Sequence, residues 1–77
     1  MASYQLDARR LLCPMPVIRT QDRIAQLQPG DVLQVTCSDP GAAQDIPAWS
    51  RINGHTIVSI EQGADELVIT VEVGAAS

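Results

Sequence analysis

Cys13 opens the segment Cys13-Pro14-Met15-Pro16, the most constrained setting for a nucleophile anywhere in the chain. Proline is favoured at the first helical position, where its missing N–H would have no helical partner and its fixed φ suits the helix. The segment therefore predicts a helix with Cys13 as its N-cap, Pro14 at its first position and Pro16 still in the first turn. The positive end of the helix dipole would then face the sulfur and favour the thiolate. Arg9, Arg10 and Arg19 all lie within six residues of Cys13, so the one basic region of the chain surrounds this thiol. A stabilised thiolate on a stiff mount suits sulfur transfer. It must attack a sulfane sulfur to load and later depart as a leaving group, and a lower pKa helps departure. The ordinary role of a free cysteine is a small buried hydrophobe; the helix start and the arginines favour the reactive role here.

Other chemistries fit the residues less well. Cys13 and Arg19 have the Cys-x5-Arg spacing of a phosphatase signature, but two of the five intervening positions are prolines and none is glycine. A phosphate cradle of inward-pointing N–H groups would be short of donors. Acyl transfer would need an oxyanion hole and an oriented base, and the single histidine, His55, is distant in sequence with no evident orienting partner. Cys37 closes an apolar run and is expected to pack in the core or at a strand edge. One histidine and two separated cysteines make no metal site, and no cofactor is expected. Trp49 is expected in the core of a second helix, with an interface anchor as the alternative. Asp39 and Asp45 are expected as helix caps and the arginines as solvated charges, with Arg19 in addition a candidate for steering acidic partners.

The elements that must hold Cys13 follow from periodicity. Residues Ser3 to Leu6 predict a short strand. From Pro14 to Leu27 the apolar positions Val17, Ile18, Ile24, Ala25 and Leu27 recur at helical spacing. Gln28-Pro29-Gly30-Asp31 stops that helix, and Val32 to Cys37 predicts a buried strand. Strand, helix, strand suggests a parallel crossover. A second helix carries Ala42, Ala43, Ile46, Trp49 and Ile52 and closes at Asn53-Gly54; the clash an interior Pro47 would cause predicts regular helix only from about Asp45. Thr56 to Ile60 and Glu66 to Val73 predict two strands joined as a hairpin through Gln62-Gly63-Ala64-Asp65. The order βαβαββ predicts an α/β two-layer sandwich, a four-stranded mixed sheet covered on one face by two helices.

Composition bounds the function. The chain has 77 residues, 45% of them hydrophobic, so one domain spanning 1–77 with a core at about 4–73 is expected, with chemistry near its surface. The start of the chain has no basic region followed by an apolar core, so a cytoplasmic protein with reduced thiols is expected, without a membrane span. A net charge of −4, with no lysine, argues against direct nucleic-acid binding and for protein partners.

Taken together, Leu6-Asp7, Leu12-Cys13-Pro14-Met15-Pro16-Val17, Pro29-Gly30, Ser38-Asp39-Pro40-Gly41, Asp45-Ile46-Pro47-Ala48-Trp49 and Gly54-His55 resemble the TusA (SirA-like) family of bacterial sulfur carriers. The resemblance runs from about Leu6 to Val73. It implies a persulfide carried on Cys13, with Pro14, Pro16 and Arg19 in support, in a sulfurtransferase-type relay rather than an autonomous catalyst. It implies a cysteine desulfurase or similar donor protein and an acceptor protein as partners, as in the relay towards 2-thiouridine in tRNA. Other members are linked to sulfur oxidation or molybdenum-cofactor synthesis. A monomer is expected. A thiol redox protein and a regulatory interaction module are the alternatives of another class; the former lacks a Cys-x-x-Cys pair. The chain departs from the family where members often carry glycine and it has Arg10, and where they carry lysines and it has Gln21 and Asp22. Those positions adjoin the face where a partner would read charge.

Overall fold

The computed structural model describes residues 2–12 and 14–74. The elements are β1 (Ser3–Ala8), α1 (Met15–Ile24), β2 (Val32–Cys37), α2 (Ala42–Ile52), β3 (Thr56–Gln62) and β4 (Leu67–Glu72). The sheet order is β1-β2-β4-β3, with β1 and β2 parallel and the other two pairings antiparallel. This is the expected α/β arrangement, a mixed four-stranded sheet with two helices in βαβαββ order.

Register explains which residues form the core. Alternate strand residues share a face, and the pairings align Tyr4, Leu33, Val71 and Ile57 in one row and Leu6, Val35, Ile69 and Ile60 in the next. Leu33, Val35, Ile69 and Val71 in the two central strands are wholly buried. Ile24 of α1 and Ala42 and Ile46 of α2 complete the same cluster, and the helices also contact each other. The opposite face carries a row of Gln5, Gln34, Thr70 and Ser59, the polar half of the alternation.

Several boundaries differ from expectation. Helix α1 starts at Met15 with Pro14 as its N-cap, so the expected Pro14 first position is corrected by one residue. The Pro14 carbonyl accepts the Ile18 N–H at 3.2 Å, and Pro14 itself has non-helical φ −97 and ψ 13. Pro16 falls at N2, where its absent N–H forfeits no helical bond. The expected capping residue, Cys13, lies outside the described residues. The helix ends at Ile24 rather than Leu27 because its last turn tightens: Gln26 and Leu27 donate to the carbonyls of Arg23 and Ile24. The chain then turns through Pro29 and Gly30 (φ +92), and the Asp31 N–H closes on the Gln28 carbonyl at 3.0 Å. Proline followed by a left-handed glycine is the sequence a type II turn requires.

Helix α2 begins at Ala42, three residues before the expected start, and contains Pro47. An interior proline typically costs ~3 kcal/mol. Burial of Ala42, Ile46 and Pro47 offsets it, since full burial of an isoleucine alone is worth roughly 1.5–3 kcal/mol. The cap of α2 is Gly41, with no side-chain cap bond; Asp39 instead accepts the Gly41 N–H through Oδ1 at 3.0 Å in the preceding turn, and Asp45 lies in the first turn. The two aspartates are therefore not N-caps. Strand β1 runs two residues further than expected, to Ala8, because it pairs with the whole of β2. Strand β3 likewise extends to Gln62, paired with Leu67, leaving residues 63–66 as the hairpin loop.

Candidate functional site

The parallel pairing of β1 and β2 sets Ala8 beside Cys37, so the loops into α1 and α2 leave the sheet side by side. Leu67 also pairs with Cys37, which brings the β3–β4 hairpin loop to the same end. The segment containing Cys13 enters α1 from this end.

Side-chain bonds fix the approach to that segment. Asp7 accepts the Arg9 backbone N–H at 3.0 Å and the guanidinium through Nε at 2.9 Å and Nη2 at 3.0 Å. These bonds from Arg9 hold the exposed Asp7 carboxyl down at about 2, and the carboxylate in turn raises the Arg9 pKa. Arg9 Nη1 also lies 3.7 Å from Glu66 Oε2, linking the loop to the hairpin. Arg10 has φ +68, and its N–H donates to Ser38 Oγ at 2.7 Å. The chain re-enters regular structure where the Met15 N–H donates to the Leu12 carbonyl at 2.8 Å.

Of the supporting residues expected, Pro14 is exposed at the cap and Pro16 is wholly buried, anchoring the first turn of α1. Thr20, also buried, donates its hydroxyl to the Pro16 carbonyl at 2.8 Å. Arg19 is exposed on α1, and among the described residues it takes part in no ion pair. The first turn of α1 contains no acidic residue, so no carboxylate there offsets the positive end of the helix. Three apolar side chains are exposed around the segment: Leu12 at 74%, Met15 at 37% and Ile18 at 40%.

Cys37 is different in kind. It is a free thiol, wholly buried at the end of β2. Burial pushes its pKa up to about 11, with the Asp39 carboxylate adding to the effect. A thiol so placed is a packing group rather than a nucleophile.

His55 acquires a partner that the sequence did not signal. Its Nδ1 accepts the Gly74 N–H at 3.0 Å, and its ring centroid lies 5.3 Å from that of Trp49. Burial lowers its pKa. Trp49 is half-buried against the core and lines a groove of about 740 Å³ with His55, Ile24, Leu27, Ile52 and Val73. That groove lies at the opposite end of the sheet from the loop into α1. Among the described residues no cluster of three or more histidine, cysteine or acidic side chains could hold a metal, and no helix is long and apolar enough to cross a membrane.

This fold is that of the small α/β sandwiches of SirA-like proteins. A solved SirA-like protein from Desulfitobacterium hafniense superposes with a TM-score of 0.80, covering 92% of this chain and 97% of its own at 24% identity. The chain belongs to the family described as sulfurtransferase TusA, whose model matches residues 4–73. Among its relatives, the Bacillus subtilis protein named "Putative sulfur carrier protein YrkI" is 38% identical over 69 residues, 90% of this chain and 92% of its own length. A Neisseria meningitidis serogroup B protein named in the same way is 41% identical over 71 residues, 90% of this chain and 96% of its own.

Proposed function

We propose that the chain is a sulfur carrier that holds sulfane sulfur as a persulfide on Cys13 and passes it from a donor protein to an acceptor protein. The observation that carries this reading is the family match over residues 4–73, which includes the Cys13-Pro14-Met15-Pro16 segment, together with relatives that bear the sulfur-carrier name.

In loading, the Cys13 thiolate attacks the outer sulfur of a donor persulfide. The donor's S–S bond breaks with its electron pair leaving on the donor cysteine, and a new S–S bond forms on Cys13. No net oxidation occurs, and delivery repeats the exchange with the acceptor as attacking thiolate. The positive end of α1 and the basic residues Arg10 and Arg19 favour the thiolate form. Exposed Leu12, Met15 and Ile18 offer an apolar rim on which a donor or acceptor could dock. A cysteine desulfurase is the donor we assign, and the relay towards 2-thiouridine in tRNA the first destination to test. The carrier would act as a single-domain monomer in the cytoplasm, where thiols remain reduced.

A dithiol redox role is disfavoured by the burial and raised pKa of Cys37, which make it a poor resolving thiol. Incubation with a cysteine desulfurase and cysteine, followed by intact-protein mass spectrometry without reductant, tests the proposal. One added sulfur located on Cys13 is expected; an internal disulfide would favour the redox role, and an unmodified protein would count against the carrier.

A further inference from the structure

We infer that the chain carries a docking surface, remote from the loop into α1, that receives an acidic segment of a partner protein in which carboxylates stand between two apolar side chains. Two grooves meet at the C-terminal turn of α2. The first, of about 740 Å³, is lined by Ile24, Leu27, Trp49 and Val73, and the second, of about 460 Å³, by Pro47, Ile57 and Ile60. Arg51 and His55 line both, so they form the divide between them. Burial holds the His55 pKa below its ordinary 6.5, which leaves Arg51 as the one charged side chain along either groove near pH 7. The chain has nine acidic residues, yet none of them lines either groove. A single cation set between two apolar grooves, on a protein of net charge −4, selects a partner whose carboxylate is flanked by apolar groups. Arg51 is set for that contact. Its Nε donates to the Pro47 carbonyl one turn back at 3.3 Å, and among the described residues its two terminal nitrogens have no partner. The nearby helix-end carbonyls that would repel a carboxylate are tied off: that of Trp49 accepts Asn53 Nδ2 at 2.9 Å, and that of Ser50 accepts the His55 N–H at 2.8 Å. Ile52, the next residue along α2, is 84% exposed at the first groove, and a bound apolar side chain would cover it. The first groove lies at the end of the sheet opposite the loop into α1, so a partner docked there leaves that loop open to another protein.

Trp49 is the chain's single tryptophan and lines the first groove, so its emission reports occupancy directly. The probes are blocked peptides in which two leucines flank a short run of glutamates, titrated into the full-length protein. Matched peptides carry glutamine or lysine in place of glutamate, or serine in place of leucine. The glutamate peptide should shift Trp49 emission saturably, and each matched peptide should bind about tenfold more weakly or worse. Arg51→Glu, shown folded by circular dichroism, should invert the order so that the lysine peptide binds best. Ile52→Ser should weaken the glutamate peptide while keeping its advantage over lysine. Should Arg51→Glu fail to fold, Arg51→Gln should abolish the discrimination between the glutamate and lysine peptides. Equal binding of those two peptides to wild type, or no saturable shift with any peptide up to about 2 mM, would overturn the proposal. So would sedimentation showing that the protein alone forms a dimer that Ile52→Ser disperses, since the occupant would then be a second copy of the chain. No arm uses a sulfur donor, so the outcome is independent of the carrier reading.

Discussion

Gly74→Ala should destabilise the protein by about 2 kcal/mol without touching the thiol. A Cβ at position 74 would overlap the Gly54 carbonyl oxygen and lie 2.8 Å from its carbon and 3.5 Å from His55 Cα, all of them backbone atoms. Neither partner can yield by turning a side chain, so the least costly relief is for the chain after β4 to lift away. That forfeits the hydrogen bond from Gly74 N–H to His55 Nδ1, worth ~1 kcal/mol. It also loosens Val73, now 5% exposed; losing half of a valine's burial costs about 1 kcal/mol more. For a chain of this size the sum corresponds to a fall of roughly 8–16 °C in Tm. Gly30→Ala is the matched control. Gly30 has φ +92 but no atom within 4 Å of an added Cβ, so only the left-handed conformation is penalised, by ~1 kcal/mol, or about half the shift. Thermal unfolding followed by circular dichroism measures both. A Gly74→Ala Tm within about 3 °C of wild type, or a larger loss in Gly30→Ala, would refute the reasoning. Sulfur loading in the folded Gly74→Ala protein should match wild type, because position 74 lies at the end of the sheet opposite the loop into α1.

Two further outcomes follow from the titrating groups. Cys37 should resist alkylation in the native protein near pH 8, since its pKa stands at about 11 and its side chain is buried, and Cys37→Ala should load sulfur normally at a stability cost of roughly 1 kcal/mol. Loss of loading in folded Cys37→Ala would contradict the packing role. For His55, burial holds the folded pKa below the ordinary 6.5, so on acidification the unfolded chain takes up its proton first. Stability from this group is complete above about pH 6.5 and lost as pH falls through the lower folded value; Tm should therefore decline between pH 7.5 and 5.5, and His55→Gln should flatten that decline. A Tm that rises on acidification, or an unchanged decline in His55→Gln, would contradict this sign.

The sequence carried the element order and most of the core because both rest on periodicity. Leu33, Val35 and Cys37 alternate inward, and the predicted bounds of β2 are those observed. Boundaries failed where tertiary packing overrode a local rule: Pro47 argued for a helix start near Asp45, whereas burial of Ala42 and Ile46 carries the start back to Ala42. The placement of β4 between β2 and β3 was not legible, since strand order is a choice among pairings that local pattern does not encode. The same holds for contacts between residues distant in sequence. His55 with Gly74 and Arg10 with Ser38 join loops that only the sheet register brings together. Arg10 proves to have positive φ, which nothing in the local pattern signalled. The proposal for Cys13 rests on its neighbours in sequence, and Cys13 itself lies outside the described residues.

The measurement that bears most directly on the central claim is sulfur loading and delivery by Cys13→Ser. Serine differs from cysteine by one atom and leaves the Pro14 cap in place, so the fold should persist, but its hydroxyl is not ionised near neutral pH and cannot form a persulfide. After incubation with a cysteine desulfurase and cysteine, intact mass should show one added sulfur on wild type and on Cys37→Ala, and none on Cys13→Ser. Wild type should then pass its sulfur to an acceptor protein. A folded Cys13→Ser variant that delivered sulfur as fast as wild type would contradict the account.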